Sequence, residues 1–138
     1  MRSVKLPFKL PYVYGDDGKV FRAIGLAEIS ESGVVLEFQN EMFGAGTSDA
    51  QEARLGLFEI RSVELKAGWF SNKLIVDATS LSAMNGIPGS KQARIVLKIP
   101  RRERQTARKA QSLLEAGLAN EELKGLRKEL GRGRDEED

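Results

Sequence analysis

Arg101, Arg102 and Arg104 crowd one short stretch of this chain, with Lys98 just before them and Arg108 and Lys109 just after. Pro100 precedes them, and the pattern that follows predicts a helix. A helix start carries free backbone amides and the positive end of the dipole, which disfavours cations by about 0.3–1 kcal/mol each. A bound anion reverses that sign, because amides and guanidinium groups converge on it. The chemistry on offer is recognition of an acidic partner, a lipid headgroup or a phosphate. The plainer alternative is a solvated helix face, partly neutralised by Glu103. A second candidate is the aromatic pair Trp69 and Phe70, next to Gly68 and a predicted hairpin, placed to meet a partner or a membrane interface. Strand alternation would send the two rings to opposite faces, closing the core with one and leaving the other outside. The third is the set Leu118, Leu123, Leu126 and Leu130, whose 3- and 4-residue spacing predicts one apolar helix face. Far from the core, that face must dock on the domain or on another subunit.

Catalytic chemistry finds less support. The chain has no His and no Cys, so a Ser-His-Asp or Cys-His nucleophile and a zinc-thiolate site are excluded. Asp16, Asp17, Asp77 or a lysine are the groups left for catalysis, and no spacing fixes a pair of them. The expectation is a protein that is not an enzyme and uses no cofactor or metal.

Six short apolar runs with strand character hold these residues in place. Residues 20–29 read as the first clear strand, with Gly25 as a bulge or bend. A turn at Ser30-Glu31-Ser32-Gly33 leads into Val34, Leu36 and Phe38, which alternate with polar neighbours. Residues 40–52 form a Gly-rich loop. Leu55, Leu57 and Ile60 resume the sheet, and the three-residue step from Ile60 to Val63 demands a bulge at Arg61-Ser62. Leu74 and Val76 mark the next strand. Asn85-Gly86 and Pro88-Gly89 are turns, with Leu81, Met84 and Ile87 covering one mouth of the sheet. Residues 94–99 are the last strand. Ahead of all this, Pro7 and Pro11 confine residues 1–19 to an irregular arm or an edge strand, with a turn at Asp16-Asp17-Gly18.

After Pro100, the small residues Ala107 and Ala110 with Leu113 and Leu114 predict a helix that lies close against the sheet. Gly117 reads as its stop. Asn120, Glu121 and Glu122 then suit the start of a second short helix, 121–130; a single helix through Gly117 is the rival reading. Residues 131–138 read as a disordered acidic tail. The domain plan is therefore an arm at 1–19, a domain at 20–116, a helical extension at 117–130 and the tail.

Charge and hydropathy narrow the setting. There are 22 Lys and Arg against 20 Asp and Glu, a net charge of +2, too balanced for a nucleic-acid binder, and basic and aromatic residues are not interleaved on any strand. No apolar run approaches the ~18 residues of a membrane span. The N-terminal prolines break up any signal-peptide core. The expected location is cytoplasmic, with peripheral membrane contact as the variant.

The stretch Glu59-Ile60-Arg61-Ser62-Val63-Glu64-Leu65-Lys66-Ala67-Gly68-Trp69-Phe70, then Leu74-Ile75-Val76, Ile87-Pro88-Gly89-Ser90 and Arg94-Ile95-Val96-Leu97-Lys98-Ile99, closed by the helix from Arg101 to Leu114, resembles bacterial pleckstrin-homology-like (PH-like) domains over roughly residues 20–116. The resemblance implies a mainly β fold: about seven strands in a partly open antiparallel barrel, capped by a C-terminal helix, with the short second helix added. It also implies a non-enzymatic module, of a kind that often forms homo-oligomers. Headgroup-gripping relatives carry a basic first hairpin. Here the hairpin at 30–33 is acidic and neutral, so no such residues carry over. Leu113 to Leu118 with Glu121 to Leu130 is similar to the SHOCT helical hairpin. Glu28-Ile29-Ser30-Glu31-Ser32-Gly33 resembles the signature of cyclic-di-nucleotide-binding PilZ barrels, although the paired upstream arginines are missing and only Arg22 lies nearby.

The reading that follows is a non-catalytic module for protein–protein interaction and self-association, with Trp69, Phe70, Leu118, Leu123, Leu126 and Leu130 at the interface. The runner-up is peripheral binding to anionic membranes through Lys98, Arg101, Arg102 and Arg104, and the lesser alternative is a PilZ-like barrel.

Overall fold

The computed structural model describes residues 2–14, 20–42, 46–47, 49–84, 87 and 92–137, with backbone alone at 11–14, 20–21, 42 and 132–137. The strands are β1 (Ser3–Tyr14), β2 (Val20–Ser30), β3 (Gly33–Met42), β4 (Gly46–Thr47), β5 (Gln51–Gly56), β6 (Ile60–Ala67), β7 (Ser71–Ala78) and β8 (Arg94–Pro100). Among the described residues one α-helix, α1 (Arg104–Glu137), follows β8. The strands form a single antiparallel sheet in the order β4-β3-β2-β1-β8-β7-β6, and β5 lies beside β4 along the outer edge of β3. The chain passes from β5 to β6 through one turn of 3-10 helix, Leu57–Glu59. Among the described residues β5 and β6 do not pair, so the sheet stays open there.

Alternation builds the inner face. Val4, Leu6, Phe8 and Leu10 of β1 are buried, as are Leu74 and Val76 of β7 and Ile95, Leu97 and Ile99 of β8. All belong to one apolar cluster with Ala107, Ala110, Leu113 and Leu114 of α1. Met84 and Ile87 join that cluster as expected, whereas Leu81 is exposed. The turns expected at Asn85-Gly86, Pro88-Gly89 and Asp16-Asp17-Gly18 lie outside the described residues.

Residues 40–52 are not one loop, since β3 runs to Met42, β4 covers Gly46–Thr47 and β5 begins at Gln51. Three further expectations need correction. The N-terminal arm is a strand at the middle of the sheet. Its ladder to β2 runs from Ser3 opposite Ser30 to Tyr14 opposite Val20, with a shift after Leu10. Proline constrains it on the other side instead: the single registered pair with β8, Lys9 opposite Lys98, sits between Pro7 and Pro11, neither of which has an amide to donate. Gly25 is no bulge, since the ladder through it is unbroken. A Cβ there would overlap the carbonyl oxygen of Glu37 on β3, so the glycine lets the two strands approach closely. The bulge expected at Arg61-Ser62 is present, as a register shift between Ile60 and Ser62.

The third correction concerns Gly117. There is no stop and no separate helix at 121–130, because α1 is continuous and its backbone stays helical to Glu137, through the segment expected to be a disordered tail. Gly117 is buried inside it, against the β2–β3 turn, where a Cβ would overlap the carbonyl oxygen of Glu31. The glycine is there for close approach, a demand that arises from packing rather than from local conformation.

Candidate functional site

The structure presents two surfaces, and the sequence candidates divide between them. The first lies on the outer face of β6, β7, β8 and β1. Lys66 stands opposite Lys73, Lys73 opposite Lys98, and Lys98 opposite Lys9. Four lysines on four adjacent strands thus form one row, roughly 14 Å long at ~4.8 Å per strand. All four are exposed, and among the described residues none has an ion-pair partner. Like charges directly opposite one another across a sheet are destabilising. Glu64, two residues from Lys66, is the nearest carboxylate along β6.

At the β1–β8 end of the row is a groove of about 470 Å³, lined by Lys9, Arg22, Lys98 and Arg102 with Phe70 beside them, and among the described residues no carboxylate lines it. Arg22 is partly neutralised by Glu41, which accepts from its Nε at 2.6 Å. The three other cations are not so tied: Arg102 comes no closer than 4.0 Å to Glu103. Sequence reasoning found Lys98 and Arg102 but missed Lys9, Lys66 and Lys73. They are far apart in the chain, and only strand register brings them together.

The predicted arginine cluster does not act as one unit. Arg101 and Arg102 are exposed, on the 3-10 turn before α1. Arg104 turns inward. Its Nε donates to Oδ1 of Asn72 at 2.8 Å, and its Nη2 donates to the carbonyl of Gly68. Asn72 is fully buried and donates from Nδ2 to the carbonyl of Pro100 at 3.1 Å. Arg104 therefore fastens the start of α1 to the β6–β7 turn. Replacing it with Ala strands the buried Asn72 oxygen, and urea denaturation is expected to show a loss of about 1–3 kcal/mol. Arg101→Ala and Arg102→Ala are expected to stay within about 0.5 kcal/mol.

Trp69 and Phe70 lie on the β6–β7 turn, 83% and 94% exposed. Alternation would have buried one of them, but neither belongs to a strand, so both rings stand free next to the lysine row. The carboxylate of Asp77 is at the far end of the sheet. Arg94 donates to it from Nε at 2.6 Å and from Nη2 at 3.2 Å, and Ser62 Oγ donates at 3.2 Å. The Arg94 hydrogen bond holds its pKa below the ordinary carboxylate value, against a smaller opposing effect of burial. A base so stabilised is a weak one. Because the folded-state pKa is the lower one, this stabilisation is complete above the unfolded carboxylate pKa of about 4 and is lost as pH falls through the folded value. Thermal melts should show Asp77→Asn destabilising at neutral pH, with the gap to the parent protein closing in acid.

The second surface is the outward half of α1. Leu118 faces inward and packs against the core cluster, so it parts company with Leu123, Leu126 and Leu130, which are 50%, 50% and 68% exposed. At 100° per residue those three lie roughly 160° around the helix from Ala107, Ala110 and Leu114. The face that docks and the face that is bare are on opposite sides of one helix, and a straight helix cannot fold back to bury the second.

Among the described residues no helix is long and apolar enough to cross a membrane, and no group of His, Cys, Asp or Glu side chains is disposed to hold a metal. Comparison of the chain with known protein families, curated proteins and solved structures finds no match.

Proposed function

We propose that this chain is a non-catalytic binding module of PH-like build that associates with a second copy of itself through the outward half of α1. The observation that carries the reading is the exposure of Leu123, Leu126 and Leu130 on a helix face turned away from their own domain. Bare leucines at helical spacing are the usual mark of a helix awaiting an apolar partner. The strand order and the terminal helix across the sheet support the PH-like part of the reading. Light scattering across a wide concentration range tests it: a mass above that of one chain, returned to one chain by the double change Leu123→Lys and Leu126→Lys, is the expected result. A single-chain mass at every concentration would sink it.

The lysine row favours a second reading, peripheral attachment to an anionic membrane. Basic residues near such a surface contribute about 1 kcal/mol each, and Trp69 and Phe70 suit the interfacial layer. Co-sedimentation with anionic vesicles that is lost in high salt, and lost on changing Lys66, Lys73 and Lys98 to Glu, is the outcome this reading requires. Binding to neutral vesicles just as strongly would count against it.

A further inference from the structure

We infer that the partner on the outward face of α1 is a second copy of the same helix, lying parallel and in register as a short two-stranded coiled coil. This rests on the self-association proposed above and adds its geometry. The bare face follows a seven-residue repeat. Ala116, Leu123 and Leu130 are seven apart, and Ala119 and Leu126 fall three residues after the first two, the a and d spacing of a coiled-coil seam. The flanks are charged, and each carries one sign. Glu115, Glu122 and Glu129 precede the a positions by one residue and line one side of the seam. Asn120 and Arg127 follow the d positions by one residue and line the other. The sequence extends that second flank seven residues on with Arg134.

Orientation follows from those signs. In a parallel, in-register pair the residue before a on one helix meets the residue five further along on the other. Glu122 then faces Arg127 of the partner subunit, and by symmetry the contact is made twice. An antiparallel pair would instead set glutamate flank against glutamate flank and arginine against arginine. Among the described residues Glu122, Arg127 and Glu129 have no ion-pair partner within their own chain. Glu121 and Lys124, which do pair at 3.6 Å, lie away from the seam. The sheet is no obstacle, since it sits on the opposite side of α1.

The helix itself also needs a partner. Beyond Leu118 Glu121 is half-buried and the other side chains to Gly131 are exposed, and the segment contains Gly125 and Gly131, which weaken a helix and have nothing within 4 Å of where a Cβ would stand. A lone segment of that length and composition is marginal in water, whereas pairing supplies the missing packing. Three leucines per chain make a pair that depends on concentration rather than an obligate dimer.

The test uses the full chain. Glu122→Arg sets arginine against Arg127 of the partner subunit, and sedimentation equilibrium should show the dimer dissociation constant raised about tenfold. Arg127→Glu should do the same, and the double swap should return it to within about twofold. Because the chain has no cysteine, Leu126→Cys gives a clean second readout: mild oxidation links the two copies only if equivalent positions face each other. Circular dichroism confirms that each variant is folded. Tighter association of Glu122→Arg, or a Leu126→Cys protein that dimerises without cross-linking, would overturn the parallel register and leave self-association standing. A dimer that survives Leu123→Lys with Leu126→Lys would place the interface elsewhere. A parent protein that is a single chain at every concentration would remove both the register and the association on which it rests.

Discussion

Gly117→Ala is expected to destabilise the fold by about 2–3 kcal/mol, although the same change in an exposed helix interior stabilises by roughly 1 kcal/mol. The sign is set by what the new methyl group meets. A Cβ at 117 would overlap the carbonyl oxygen of Glu31 and lie 2.9 Å from the carbonyl carbon behind it. Both are backbone atoms in the tight β2–β3 turn, which cannot swing aside as a side-chain tip can. Relief requires α1 to lift from the turn, and that loosens the packing of Leu113 and Leu114 one turn earlier. Gly125→Ala is the internal control: nothing lies within 4 Å of its Cβ position, so it should raise helicity and stability by up to about 1 kcal/mol. Urea denaturation of the two variants side by side is the measurement. If Gly117→Ala matched Gly125→Ala, the close approach of helix and turn would be wrong.

Leu114→Ala and Leu126→Ala should differ just as sharply, although both remove a leucine from the same helix. Leu114 is fully buried in the core, and its truncation is expected to cost about 2–5 kcal/mol through lost transfer energy and a residual cavity. Leu126 is 50% exposed, so in dilute protein, as a single chain, its truncation should change stability by no more than about 0.5 kcal/mol. Its effect belongs to association. At concentrations where the chain is paired, Leu126→Ala should lower the melting temperature, because a partner that binds only the folded form stabilises it by mass action. Melts at two concentrations separate the roles. Equal losses at both sites, at both concentrations, would mean that the two faces of α1 are not distinct.

These differences show how one helix can serve two partners. Its first half, with Ala107, Ala110 and Leu114, anchors it to the sheet, and Arg104 pins its start to the β6–β7 turn through Asn72 and Gly68. Its second half presents leucines to the outside. The lysine row lies on the outer face of β6, β7, β8 and β1, the strands whose inner face helps to bury α1. Pairing through the helix would therefore leave the basic face uncovered, and a paired molecule would carry two of them. If the second reading also holds, vesicle binding should rise with dimer concentration, as expected for two linked sites.

Local physics made much of this legible in the residues. Period-two alternation marked the strands at 20–29, 34–39, 70–76 and 94–99, because a pleated strand buries every second side chain. The step from Ile60 to Val63 gave away the bulge, since a ladder cannot keep both residues on one face without an extra residue. The composition of residues 101–116 announced a helix with a narrow, small-residue contact stripe, and the spacing of Leu118, Leu123, Leu126 and Leu130 announced an apolar helix face, of which the fold docks Leu118 and leaves the other three bare. What the tertiary structure alone decided involves partners distant in sequence. Pro7 and Pro11 argued for an edge, yet β1 is central, because its ten-residue ladder to β2 does not depend on the amides those prolines lack. Gly117 looked like a stop, and its true constraint is the Glu31 carbonyl that packing brings against it. Arg104 was grouped with its neighbours by proximity and separated from them by a buried asparagine 32 residues away. The lysine row needed four strands in register before it existed at all. Periodicity records which face of an element is buried, but only the assembled sheet determines which side chains on the other face become neighbours.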